Sequence, residues 1–159
     1  MANEKENAVK IYNDLVAMLN EMDWSFEKFD EALVIKSGVQ GDDLPIEFVI
    51  KVDPDKELVR FLSKLPFEVP EDKRVDIAIA ACVANFYMIS GNFDFSVETG
   101  ETYFRMTQSF RGGVALTKEL FEYVIFVSAQ TIDEYNDKFF MICKNMLSLE
   151  QFMESLKND

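Results

Sequence analysis

The chain has 159 residues, 48% of them hydrophobic, carries a formal net charge of −13 and contains no histidine. That length suits one domain around one core, and so apolar a composition excludes a disordered chain. The negative charge repels nucleic acid and anionic membrane, so neither is expected as a partner.

The opening MANEKENAVK lacks a positive start leading into an apolar run, so no signal peptide is expected. No stretch of about 18 apolar residues offers a membrane span, and the expected compartment is the cytoplasm. A first helix is predicted from about Glu4 to Met22, because Val9, Tyr12, Leu15, Val16, Met18 and Leu19 recur at helical spacing. Asp23 and Trp24 lead out of it. A strand is predicted over Ala32–Val39, with Leu33, Ile35 and Ser37 on one face and Val34 and Lys36 on the other. Gly41-Asp42-Asp43 is a turn.

Pro45–Val52 alternates strictly. Ile46, Phe48, Ile50 and Val52 point one way, and Glu47, Val49 and Lys51 the other. Asp53-Pro54-Asp55 turns the chain into a further strand, Glu57–Leu65. Pro66 ends that strand because it cannot donate to a ladder. Pro70 fits the first turn of a second helix, and Glu71 and Asp72 suit its positive end. The spacing sends Val75, Ile79, Cys82, Val83 and Phe86 toward the sheet. The small residues from Ala78 to Ala84 let the helix sit close to whatever it packs on, and Ser90-Gly91 ends it.

A hairpin follows, Phe93–Val97 and Thr102–Met106, around a Thr99-Gly100 turn. Gly112-Gly113 breaks the chain, and Thr117 caps a long helix predicted over Lys118–Leu147. Leu120, Val124, Val127, Tyr135, Phe139, Ile142 and Met146 form one stripe of it, flanked by Phe121, Ile125, Ile132, Phe140 and Cys143. A surface helix needs one apolar stripe. The surplus points to a second packing partner, either another element of the chain or another subunit. Ser148-Leu149-Glu150-Gln151 is a capping box that opens a short amphipathic helix carrying Leu149, Phe152, Met153 and Leu156. The expected organisation is one domain over residues 1–159: a core of about 32–147, an N-terminal helix 4–22 and a C-terminal helix 149–157. The fold class is α+β, an antiparallel sheet of a three-stranded meander plus a hairpin, packed with helices.

The segment LVRFLSKLPFEVPEDKR, followed by a helix ending in NFYMISGNFDFSVETGETYFRM, resembles the bacterial YbjN family. That family shows a strand ending in Leu-Pro-Phe, a Val-Pro-Glu helix start, an Asn-rich helix end, and a hairpin with a Gly turn and an aromatic second strand. The resemblance spans about Val34 to Met146 and departs from the family in the added helix beyond Leu149. It implies a fold like that of type III secretion chaperones, small acidic α+β proteins that pair as homodimers and bind extended segments of other proteins. It also implies a role in sensory transduction or stress-linked regulation, and it supplies no catalytic residues.

The residues themselves offer little chemistry. Without histidine there is no Ser-His or Cys-His pair and no imidazole ligand. Cys82 and Cys143 sit mid-helix among apolar residues, which reads as two buried, reduced thiols. The DPDKE stretch lacks the acidic series and the closing glutamate of a calcium loop and reads as a hairpin turn. Arg111-Gly112-Gly113 ahead of a helix could hold an anion on backbone amides, against the plainer reading of a loop. Met18 and Met106 read as core fillers, whereas Met146 and Met153 fit a core or a contact surface equally.

No catalytic residue, cofactor or metal ligand is therefore assigned. The leading expectation is a non-enzymatic protein-interaction or regulatory module. It would act as a homodimer, with a possible protein or peptide client bound through apolar surface at Phe126, Phe139, Phe140, Phe152 and Met153. The alternative is a sensory regulator binding a small ligand, with Trp24 and Tyr103 as pocket walls. A third reading, an enzyme using carboxylates alone, needs two facing acids in a cleft, and the sequence shows only surface-type acids.

Overall fold

The computed structural model describes residues 2–157. The elements run, in chain order, α1 (Ala2–Glu21), β1 (Phe26–Phe29), β2 (Val34–Gln40), β3 (Pro45–Asp53), β4 (Leu58–Lys64), α2 (Arg74–Tyr87), β5 (Asn92–Phe95), β6 (Thr102–Ser109), α3 (Lys118–Cys143) and α4 (Leu149–Ser155). The strands form a single antiparallel sheet in the order β1-β2-β3-β4-β6-β5. The meander and the hairpin thus join through β4 and β6, and Phe61 sits opposite Met106. The class is the α+β antiparallel arrangement expected, with one strand more.

That strand, β1, pairs with β2 through Phe26↔Ser37 and Phe29↔Val34. A single turn of 3-10 helix, Asp30–Ala32, and Leu33 in the left-handed region at φ 52° connect the two. No glycine or asparagine marks this turn, and a four-residue strand at a sheet edge, mostly exposed, needs no apolar alternation.

Alternation sets the layers. Ile46, Phe48, Ile50 and Val52 of β3 are all buried, as are Val59, Phe61 and Ser63 of β4 and Phe104 and Met106 of β6. These residues face the helices. α1 and α3 lie on the sheet, while α2 covers β5 and touches α3 and α4. The core residues of all four helices and of the sheet form one cluster, Met18 and Met106 among them. The other face of the sheet carries Val49, Leu62 and Tyr103 among Lys36, Lys51, Arg60, Lys64 and Arg105. Arg60, Lys64 and Arg105 there pair with Asp53, Glu101 and Asp94.

Helix ends follow local chemistry. The Thr117 hydroxyl accepts the Leu120 N–H and starts α3. The helix stops at Cys143, short of the expected Leu147, because Asn145 turns left-handed at φ 58° and the Met146 N–H reaches back to the Met141 carbonyl. At the start of α4, Ser148 and Gln151 exchange both bonds of a capping box, at 2.9 and 3.1 Å.

α1 is tied to the β1–β2 corner by the buried Tyr12, whose hydroxyl donates to Asp30 at 2.9 Å. Burial first, and then the bond and charge of Asp30, push the phenol up from 10.0 to about 12. The fold therefore favours the neutral phenol. Its contribution is complete below pH 10 and is lost as pH rises from about 10 to about 12. Urea midpoints measured across that window should fall in the wild type, and the fall should be smaller in Tyr12→Phe. Parallel curves would sink the assignment.

Candidate functional site

Spacing alone places the larger side chains of α2 on the sheet, and the structure reverses this. Ile77, Ala80, Ala81 and Ala84 are the buried face. Val75 is 68%, Ile79 41% and Phe86 82% exposed, Cys82 is exposed on the same side, and Val83 is half-buried at its margin. The reason is steric. An alanine face lets the helix axis approach β5 and α3 closely, and one bulky stripe cannot occupy the same space. The run of alanines was the signal in the sequence. The expectation that both cysteines are buried is corrected with it: Cys143 is buried, and burial pushes its thiol pKa up, whereas Cys82 stands in the exposed stripe.

Beyond α2 the apolar surface continues. Tyr87, Met88 and Ile89 form one wall of a groove of about 470 Å³ against Tyr123 and Val127 of α3 and Leu156 after α4. The Ser90 and Tyr123 hydroxyls meet at 2.9 Å across it. Ile89 is fully exposed. Phe126, 53% exposed and one turn on from Tyr123, packs its ring 6.0 Å from Trp24. A continuous strip therefore runs from Trp24 over Phe126 and Tyr123 to Ile89.

The residues expected to make contacts separate into two groups. Phe126 is on this surface. Phe140 is half-buried, with its ring 5.4 Å from that of Phe67 and the Lys144 ammonium 5.3 Å above it. Met153 is half-buried against the core, and Met146 is exposed. Phe139 and Phe152, by contrast, are completely buried, 5.7 Å apart in one cluster with Phe93 and Tyr135. Neither presents the exposed surface that Phe126 does. Most of the apolar surplus of α3 is covered by other elements of its own chain.

The other expected features resolve as follows. Asp53 is used by its own turn, accepting the Lys56 N–H at 3.2 Å and pairing with Arg60 at 3.0 Å. Arg111 lies 3.6 Å from Glu57, and the cavity beside Gly112 and Gly113 is lined by Glu4, Glu6 and Glu57 against the single cation Lys10, a net negative environment that disfavours an anion. Trp24 packs on Phe48, on the helix side of the sheet. Tyr103 alternates with the buried Thr102 and Phe104 and so faces the opposite way. The two cannot wall one pocket. Among the described residues no group of three or more His, Cys, Asp or Glu is placed to hold a metal, and no helix is long and apolar enough to cross a membrane.

No family model matches the chain, and no curated protein matches it in sequence. Its fold does have solved counterparts. YbjN from E. coli, described as a candidate transcription regulator, superposes with a TM-score of 0.58 at 16% identity over 78% of this chain and 87% of its own. The HopA1–SchA chaperone–effector complex gives 0.56 at 10% identity over 85% and 95%. The ExsC–ExsE complex gives 0.53 at 15% identity over 79% and 90%.

Proposed function

These likenesses establish that the chain has the fold of YbjN and of type III secretion chaperones, and we propose that it is a non-enzymatic protein-interaction module. It pairs as a homodimer and holds a segment of a client protein on the apolar strip from Trp24 to Ile89. The observation that carries this reading is the strip itself: Phe126, Tyr123, Tyr87 and Ile89 are large apolar side chains on the surface of a chain whose core is already filled. Two of the fold neighbours were solved with a bound partner, which supports a protein client. Burial of side chains on the strip supplies the attraction, at about 25 cal/mol per Å² before the costs of association. The net charge of −13 favours a client that is neutral or basic around its apolar residues. Phe140 and Met153 belong to the proposed contact set only at its margin.

A photo-crosslinking amino acid in place of Phe126, in the cells that make the protein, tests the reading. Discrete adducts are expected at position 126 and not with the same group at Lys51, on the far face of the sheet. Equal labelling at the two positions, or none at 126, overturns the proposal.

A further inference from the structure

The face of the sheet turned away from the helices has an ordered charge pattern. At its centre Val49 of β3 and Leu62 of β4 stand directly opposite each other, both half-buried. Strand register gives this pair six nearest positions on the same face. Lys36 lies across from Val49 on β2, and Arg105 across from Leu62 on β6. Lys51 and Glu47 flank Val49 along β3, and Arg60 and Lys64 flank Leu62 along β4. Five of the six are cations, although the chain has 16 basic residues against 29 acidic ones. Four of them, Lys36, Lys51, Arg60 and Arg105, form an unbroken arc.

The acids of this face stand outside the ring, Glu47 excepted. Glu27 lies across from Lys36, on the side away from Val49. Asp53, Glu101 and Asp94 hold Arg60, Lys64 and Arg105 at 3.0, 2.6 and 2.9 Å. Each of these pairs turns its positive end toward the centre, so the potential there favours an anion over the apolar pair. Lys51 pairs with no described acid, and the Lys36 ammonium stands 5.1 Å over the Phe29 ring rather than on a carboxylate.

On the side away from Lys51 and Arg60 the face is cupped. A cavity of about 660 Å³ lies between Lys36 and Lys64, over Val49, Leu62 and Tyr103, and Gly38 leaves it open by having no side chain. Glu27 and Glu47 also line it and offset the two lysines, so the cup offers apolar surface without net charge. Its volume is in the range of small-molecule sites.

We infer that this face binds a small organic acid, its carboxylate on the arc from Lys36 through Lys51 and Arg60 to Arg105 and its apolar body over Val49 and Leu62 into the cup. The site lies on the opposite side of the sheet from α3, so it stands or falls separately from the client strip at Phe126.

Two probes of matched shape and opposite charge, naphthoate and naphthylmethylammonium, test this in amide-resolved NMR titrations of the intact chain. Naphthoate should move the amides of Lys36, Val49 and Leu62 with a Kd of about 1 mM or tighter. The cation should bind this face at least about fivefold more weakly. Lys51→Gln, at an exposed position, should weaken naphthoate about three- to fivefold. Lys118→Gln removes the same charge from the start of α3 and should leave that affinity unchanged. Equal affinity of the two probes for this face, equal losses in the two variants, naphthoate shifts confined to Tyr123 and Phe126, or no shift on this face at about 10 mM overturns the proposal.

Discussion

Replacing Phe139 by alanine will lower the folding free energy by about 3–5 kcal/mol, the usual cost of emptying a large buried aromatic site. The side chain is fully buried, and its ring lies 5.0 Å from that of Phe93, 5.7 Å from Phe152 and 6.1 Å from Tyr135. This cluster joins β5, α3 and α4, so the void opens where three elements meet and few side chains can close it. Urea unfolding followed by the single tryptophan, Trp24, should show the midpoint fall by roughly 2 M, given an ordinary denaturant slope for a domain of this size. Phe126→Ala is the matched comparison, since its ring is half in solvent, and should cost less than about 1 kcal/mol. If the two variants lose similar stability, the division of α3 into a buried core face and an exposed face is wrong.

Gly100→Ala should be the next most damaging change, at about 2–4 kcal/mol. Gly100 has φ +78°, and a β-carbon there would overlap the Val69 carbonyl oxygen and stand 3.2 Å from its nitrogen. The turn cannot simply move away. The Gly100 carbonyl accepts the Val69 N–H at 2.9 Å, and Arg74 donates to the Val97 and Glu98 carbonyls at 3.1 and 2.8 Å. The hairpin turn is thus fastened to the start of α2. Gly112→Ala provides the control, because φ is +73° there and nothing lies within 4 Å of the added carbon. It should cost only the left-handed strain, about 1–2 kcal/mol. Thermal melts of the two variants that coincide would show that the contact with Val69 carries no energy.

How much of this was legible in the chain varied with the kind of signal. β3 was fully readable, because strict alternation of Ile46, Phe48, Ile50 and Val52 with polar residues fixes both strand and face. The caps at Thr117 and Ser148 were readable because their side chains act within one turn. β1 was not, since its connection depends on a left-handed Leu33 that no turn propensity suggests. Spacing gives α2 the wrong orientation because hydrophobicity ranks valine, isoleucine and phenylalanine above alanine, while close packing of backbones rewards the smallest side chain. Phe139 and Phe152 read as surface contacts for a related reason. Periodicity shows that α3 is apolar on several sides, but not that α1, α2, α4 and the sheet surround it.

The build of α2 has a consequence for how the protein can change. Its alanines answer to the core, while Val75, Ile79, Cys82 and Phe86 stand outside it, so interior packing and surface character are encoded on opposite sides of a single rod. Sequence drift at Phe86 or Ile79 therefore alters the surface and leaves the interior untouched.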